Sequence, residues 1–281
     1  MWWQFVESGK ISVQYTLSDL QYLMRRLRDP QTGCPWDLKQ TFKSVVPHTL
    51  EEVYELVDAI EQGDSDQIRQ ELGDVLFQII FYSQLAAESG QFSFADVAND
   101  IVEKLLRRHP HVFPSGELHS ERELDAPSEV AIKARWEEIK QQERDQKSQL
   151  SAMDDVPRAL PALTRAAKMQ KRAAQQGFDW AELNQVISAF KAEIAELEEA
   201  IALADSAAIE DEMGDVIFSV VNVARHLKLD PEAVTRGACE KFERRFRFVE
   251  QRCRETGVSA GKGEQNSQME LFWNEAKAAG L

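Results

Sequence analysis

Two acidic patterns stand close together in this chain. Glu52 and Glu55 are three residues apart in EEVYE, and Glu71 and Asp74 are three apart in ELGD. Residues at that spacing share one face of an α-helix. Val53, Leu56, Val57 and Ile60 form an apolar stripe beside the first pair, and Leu72, Val75, Leu76 and Ile79 form one beside the second. Beyond Asp74, Phe77, Ile80 and Phe81 carry the apolar surface almost all round, which predicts a buried helix with Asp74 at the entrance to a core. Acids on an amphipathic helix are usually a solvated face. Here the pairs border the apolar stripes, and two consecutive helices packed antiparallel bring four carboxylates into one cleft. At about 6 Å and an effective dielectric near 20, each pair of charges repels by roughly 3 kcal/mol. Protonation or a divalent cation must relieve that. All-oxygen donors suit Mg²⁺, Mn²⁺ or Ca²⁺. A di-iron site in a helical bundle uses Glu-x-x-His pairs, and none is present here, which favours Mg²⁺.

The pattern occurs twice. Glu193, Glu196, Glu212 and Asp215 stand 141 residues after Glu52, Glu55, Glu71 and Asp74, and Asp205-Ser206 stands at the same offset from Asp64-Ser65. EKLLRR at Glu103 and EKFERR at Glu240 are 137 apart, as are Trp136 and Trp273, whereas Gly33 and Trp36 precede Gly177 and Trp180 by 144. Offsets that change only between blocks mean one fold used twice with altered loop lengths. The expected organisation is an N-terminal extension over 1–16, a first repeat over 17–149 and a second over 150–281. Helical periodicity predicts a helix capped by Ser18 and running to about Arg28. Others follow at 47–62, 66–89, 94–108, 128–146, 161–176, 183–203, 206–227, 231–251 and 268–278. GCPWD reads as a turn and 111–127 as a loop. The predicted fold class is all-α, with two repeated helical-bundle domains.

The net charge is −15, from 33 basic and 48 acidic residues, so the surface repels nucleic-acid backbones and anionic membranes. The 3 cysteines are scattered and odd in number, which argues against a disulfide framework or zinc site and for a reducing cytoplasm. No apolar run approaches membrane-spanning length, and MWWQFVESGK is a poor signal peptide.

ELGDVLFQ, GCPWD, RRHPHVF, GFDW, EMGD and KFERRF together resemble the MazG family of nucleoside triphosphate pyrophosphohydrolases, in its two-repeat bacterial form, over about residues 17–280. Its pattern E-E-x-x-E followed by E-x-x-D is complete as Glu51, Glu52, Glu55, Glu71 and Asp74. The resemblance implies an all-helical homodimer that binds Mg²⁺ or Mn²⁺ and nucleotides such as ATP. It implies cleavage between the α- and β-phosphates, giving a nucleoside monophosphate and pyrophosphate. It assigns catalysis and metal binding to Glu193, Glu196, Glu212 and Asp215, and metal binding to Glu52, Glu55, Glu71 and Asp74. It assigns phosphate contacts to Lys241 and Arg245, with Lys104 and Arg108 as first-repeat counterparts, and places Trp273 near the nucleotide. A bound cation neutralises phosphate charge and acidifies water for attack, and a carboxylate can accept the proton.

The second repeat departs from the pattern. Ala192 stands in place of the first Glu, and Ala189 and Ala208 occupy positions where this form has basic residues. Motif completeness therefore favours the first repeat as the active one. The resemblance favours the second, as does KFERRFRFVEQR, which continues where Pro110 ends the first basic helix. Two other readings stand beside the main one: a narrower hydrolase for dUTP or modified nucleotides, and a helical binding or scaffold protein with degenerate acidic sites. Gly73 and Gly214 cost about 1 kcal/mol each within a helix. They imply close helix packing or open space beside the acids. His48, His109 and His111 read as capping or packing residues.

Overall fold

Side-chain caps decide where most of these helices begin. A computed structural model describes residues 14–121, 127–146, 151–258 and 264–281; residues 1–13 of the expected N-terminal extension lie outside this set. The described residues form α1 (Leu17–Leu27), α2 (Phe42–Gln62), α3 (Ser65–Glu88), α4 (Phe94–Arg108) and α5 (Glu129–Gln146). They continue with α6 (Ala162–Gln175), α7 (Leu183–Leu203), α8 (Ser206–His226), α9 (Pro231–Thr256) and α10 (Glu264–Ala278). No strand occurs among them. GCPWD closes through a short 3₁₀ turn, Asp37–Lys39.

Where the helices differ from expectation, the caps supply the reason. Thr16, not Ser18, caps α1, in a reciprocal box with Asp19. Helix α2 starts at Phe42 because Thr41 and Ser44 form such a box, and Pro47 is carried inside the helix. Helix α9 runs on to Thr256, where Gly257 takes the left-handed conformation that ends it.

The chain divides into two compact units between Ile139 and Lys140, inside α5. The boundary expected from sequence lies further on, near residue 150. In the first unit α2 and α3 form a hairpin, with α1 and α4 packed on α3. Met24, Val45, Ile80, Phe81 and Leu85 make its core. Buried Arg28 clamps Glu88 with Nε at 2.9 Å and Nη2 at 2.6 Å and lies 5.4 Å over the Phe81 ring. The chain then folds back so tightly that a Cβ on Gly33 would fall 2.4 Å from the Leu27 carbonyl oxygen, which only glycine allows.

In the second unit α7 and α8 form the hairpin, α6 packs on α8 and α9, and α10 packs on α9. Buried Val186, Ala200 and Val221 stand 141 residues after buried Val45, Ala59 and Ile80. Asp64 and Asp205 cap α3 and α8 through the same pair of backbone N–H groups. The repeat seen in sequence is therefore a repeat of core positions.

One expectation is corrected. Helix α3 is not buried all round: Leu72 is 52% and Ile79 41% exposed, and Asp74 is exposed. Its covered face carries Gln78, Ile80, Phe81 and Leu85. The helix has more apolar surface than its own unit can cover. Met213, Ile217 and Val220 repeat this exposure on α8.

The two hairpin turns provide a stability test. Gly63 ends α2 at φ +75°, and its counterpart Ala204 ends α7 at φ +52°. Alanine is strained in that region, by about 1–2 kcal/mol, part of which is offset by the lower entropy of its unfolded chain. We expect Ala204→Gly to raise the unfolding free energy by about 0.5–1 kcal/mol. Urea denaturation checks this; an unchanged or lower midpoint would contradict it.

Candidate metal centre and nucleotide site

Each hairpin assembles its acids from two helices. Helix α2 supplies Glu52 and Glu55, and α3 supplies Glu71; one carboxylate oxygen from each lies within 4.8 Å of the others. Glu193 and Glu196 on α7 and Glu212 on α8 meet the same criterion. Asp74 and Asp215 are the fourth members, close enough for their charge to act on Glu52 and Glu193.

Electrostatics record the crowding. Burial, followed by the charges of Asp74, Glu55 and Glu71, raises the pKa of Glu52 above the usual carboxylate value, and a hydrogen bond from Gln78 opposes the rise. Glu71 is raised by burial, then by Glu55 and Asp74. Glu193 is raised by burial, then Glu196 and Asp215; Glu212 by burial, then Glu196 and Asp215. Groups gathered at this cost fit a hard divalent cation, which takes oxygen donors and removes the repulsion. Gly73 and Gly214 support the open-space reading, since a Cβ at either would meet nothing within 4 Å.

The remaining expected site residues lie on α9 and α10. Lys241 is exposed. Arg245 donates from Nε to the main-chain oxygen of Leu281 at 2.6 Å, and its guanidinium sits 5.8 Å over the Trp273 ring. Trp273 also packs on Phe242, with centroids 5.2 Å apart. Arg245 and Trp273 are thus brought together, but neither they nor Lys241 lines the cavity beside Glu193. In the first unit Trp136 meets His109 edge-on at 5.0 Å, and His109 is the C-cap of α4. His48 packs edge-on against Trp36 at 5.7 Å. These histidines pack and cap.

Sequence reasoning missed a cavity of about 470 Å³ in the second unit. It opens between α6, the GFDW turn, α7 and α8, with Glu193 on its wall. Gln170, Phe178, Trp180, Phe218 and Asn222 also line it. Asp179 of GFDW accepts from Arg225 Nη1 at 2.9 Å and lies 3.0 Å from His226 Nε2. Arg225, then His226, lowers the Asp179 carboxyl to about 2 against the burial that opposes it. A depressed pKa stabilises above the unfolded value, so this contribution is complete above 3.8 and is lost as pH falls toward about 2. The available signal was an acid between the two aromatic residues of GFDW.

The sequence profile of the MazG nucleotide pyrophosphohydrolase domain matches residues 40–113 and again 182–249. This chain belongs to the MazG family. A nucleoside triphosphate pyrophosphohydrolase of Escherichia coli is 49% identical over 257 residues, covering 91% of this chain and 94% of that protein. A nucleoside triphosphate pyrophosphohydrolase/pyrophosphatase MazG of Thermotoga maritima is 38% identical over 259 residues, covering 92% of this chain and 94% of its own. The two MazG matches contain both acidic quartets and stop short of α10; α6, with Gln170, lies before the second.

The raised carboxyls make a pH-dependent contribution to the stability of this MazG chain. A group whose folded pKa exceeds its unfolded value stabilises below the unfolded value, and that stability is lost as pH rises through the folded one. In the metal-free protein the contribution of the quartets should therefore be lost as pH climbs through the raised carboxyl range, and a bound divalent cation should offset that loss. Glu52→Gln and Glu193→Gln should each reduce the metal-dependent rise in melting temperature. Melting curves with and without metal, across pH, measure this. A melting temperature unmoved by saturating Mn²⁺ at neutral pH would rule out the clustered-carboxylate site.

Proposed function

We propose that this chain hydrolyses nucleoside triphosphates to nucleoside monophosphates and pyrophosphate, with Mg²⁺ or Mn²⁺, ATP being among the nucleotides bound. The observation that carries the reading is the acidic quartet on a MazG hairpin with an aromatic-lined cavity at its edge. The names of the Escherichia coli and Thermotoga maritima relatives support the same reaction. Water oxygen adds to the α-phosphorus, the bond to the α–β bridging oxygen breaks, and pyrophosphate leaves.

Glu193, Glu196, Glu212 and Asp215 would hold the cation, and Glu52, Glu55, Glu71 and Asp74 would hold one in the first unit. The cation supplies charge neutralisation at the phosphates and water acidified for attack. One carboxylate of the quartet would accept the proton of the attacking water. Lys241 and Arg245 would neutralise the outgoing pyrophosphate. The main-chain oxygen of Leu281 and the Trp273 ring fix Arg245 in place, which favours a positioned charge over a mobile one. Among the described residues no helix is long and apolar enough to cross a membrane. That and the scattered cysteines support a cytoplasmic site of action.

The second unit is the better candidate for turnover. Its hairpin borders the cavity, and its basic helix α9 continues without interruption to Thr256. Glu196→Ala should abolish pyrophosphate release, and Glu55→Ala should retain most of it, once both variants are shown to fold. Abolition by Glu55→Ala with retention in Glu196→Ala would reverse the assignment.

The chain also has the surface for a homodimer. Apolar residues at Leu72, Ile79, Met213, Ile217 and Val220 stay exposed on the hairpins. Burying them across a two-fold interface removes apolar area from water at about 25 cal/mol per Å². Multi-angle light scattering at micromolar concentration should give twice the 32.0 kDa chain mass. A monomer mass would count against it.

A further inference from the structure

The two units share core positions but differ where the cavity lies. Phe81 is 2% exposed, under the Arg28 guanidinium; its counterpart, 141 residues on, is Asn222. His48 packs against Trp36; its counterpart Ala189 leaves Trp180 without that partner. Two large side chains in the first unit are thus an amide and a methyl in the second, and both replacements line the cavity.

The polar groups there are already oriented. Asn222 Oδ1 accepts from Arg225 Nε at 2.9 Å and from Nη2 at 2.7 Å. Arginine offers only donors, so the amide oxygen must face it, and the Asn222 NH₂ is left as a donor. Asp179 on the other side of Arg225 holds that arginine in place. Gln170 is 8% exposed; its Nε2 donates to the Phe218 carbonyl at 2.8 Å, and its Oε1 is buried without a hydrogen-bond partner. The Asn222 donor lies among aromatic walls at Phe178, Trp180 and Phe218, with Gln170 also on the lining. Flat heteroaromatic rings with mixed donor and acceptor edges match that chemistry.

We propose that this cavity takes the nucleobase of the triphosphate, that Asn222 reads an acceptor on its edge, and that Phe81 and His48 close the matched space in the first unit. The proposal rests on the hydrolase reading above. It makes Asn222 and Ala189 determinants of base recognition: with Glu193 on the cavity wall, a base seated there carries its phosphates toward the acidic quartet.

The test fills the space with a neutral ring at each position in turn. Asn222→Phe and Ala189→Phe are each assayed for kcat and KM with ATP, GTP, CTP and UTP. Inorganic tripolyphosphate, which lacks a base, is used as a competitive inhibitor. Folding is checked by circular dichroism and by the Mn²⁺-dependent rise in melting temperature. Ala189→Phe leaves the Arg225 network intact, so it serves if Asn222→Phe fails to fold. We expect KM to rise at least tenfold for the nucleotides, with tripolyphosphate inhibition and the Mn²⁺ response unchanged. A folded variant with wild-type KM overturns the proposal, as does a parallel loss of tripolyphosphate binding, which would put the effect at the phosphates. A wild type that turns over no nucleotide contradicts the hydrolase reading itself, an outcome separable from these.

Discussion

Four carboxylates held together at the edge of a hairpin repel one another, and the rest of each unit serves to keep them there. Burial first, and then the neighbouring carboxylate charges, raise the pKa values of Glu52, Glu71, Glu193 and Glu212. Hairpin packing opposes the repulsion, anchored on Val45, Ala59 and Ile80 in one unit and on Val186, Ala200 and Val221 in the other. The Asp64 and Asp205 caps fix where the second helix of each hairpin starts, and so fix which acids face their partners. Strain of this kind, kept by a scaffold that is otherwise well packed, suits a site that binds a cation.

Duplication let the two units part company without disturbing that scaffold. In the first unit the position that matches Asn222 holds Phe81, buried under Arg28, which is itself clamped to Glu88. The second replaces this packing with a polar network, Asp179–Arg225–Asn222, around an open cavity. The first thereby gains a conventional apolar core and the second a lined chamber. The proposed assignment of turnover to the second unit rests on these surroundings and not on motif completeness, which favours the first unit with Glu51.

Much of this was legible in the sequence. Helical spacing and the fixed 141-residue offset identified the hairpins, the acids and the duplication, because buried positions and charged edges repeat with the helix period. Helix starts were less legible: the start expected at 47 lies at Phe42, because Thr41 and Ser44 cap α2 there and Pro47 is carried inside the helix. The apolar run after Asp74 suggested burial, but apolar composition does not say whether a unit's own helices or another surface cover it. The cavity was hidden for a different reason. It lies between α6, the GFDW turn, α7 and α8, and only the tertiary packing brings Gln170, Ala189 and Asn222 to its lining. Applying the 141-residue offset to Phe81 and Asn222 marks the position but not the space.

The central claim is that each acidic quartet is a cation site, and calorimetric titration with Mn²⁺ at neutral pH tests it most directly. The account predicts saturable binding at both quartets, with proton release. Replacing Glu193 and Glu212 together by glutamine should remove the second-unit component and leave the first. Binding that does not saturate, or a double variant that titrates like the wild type, would contradict it.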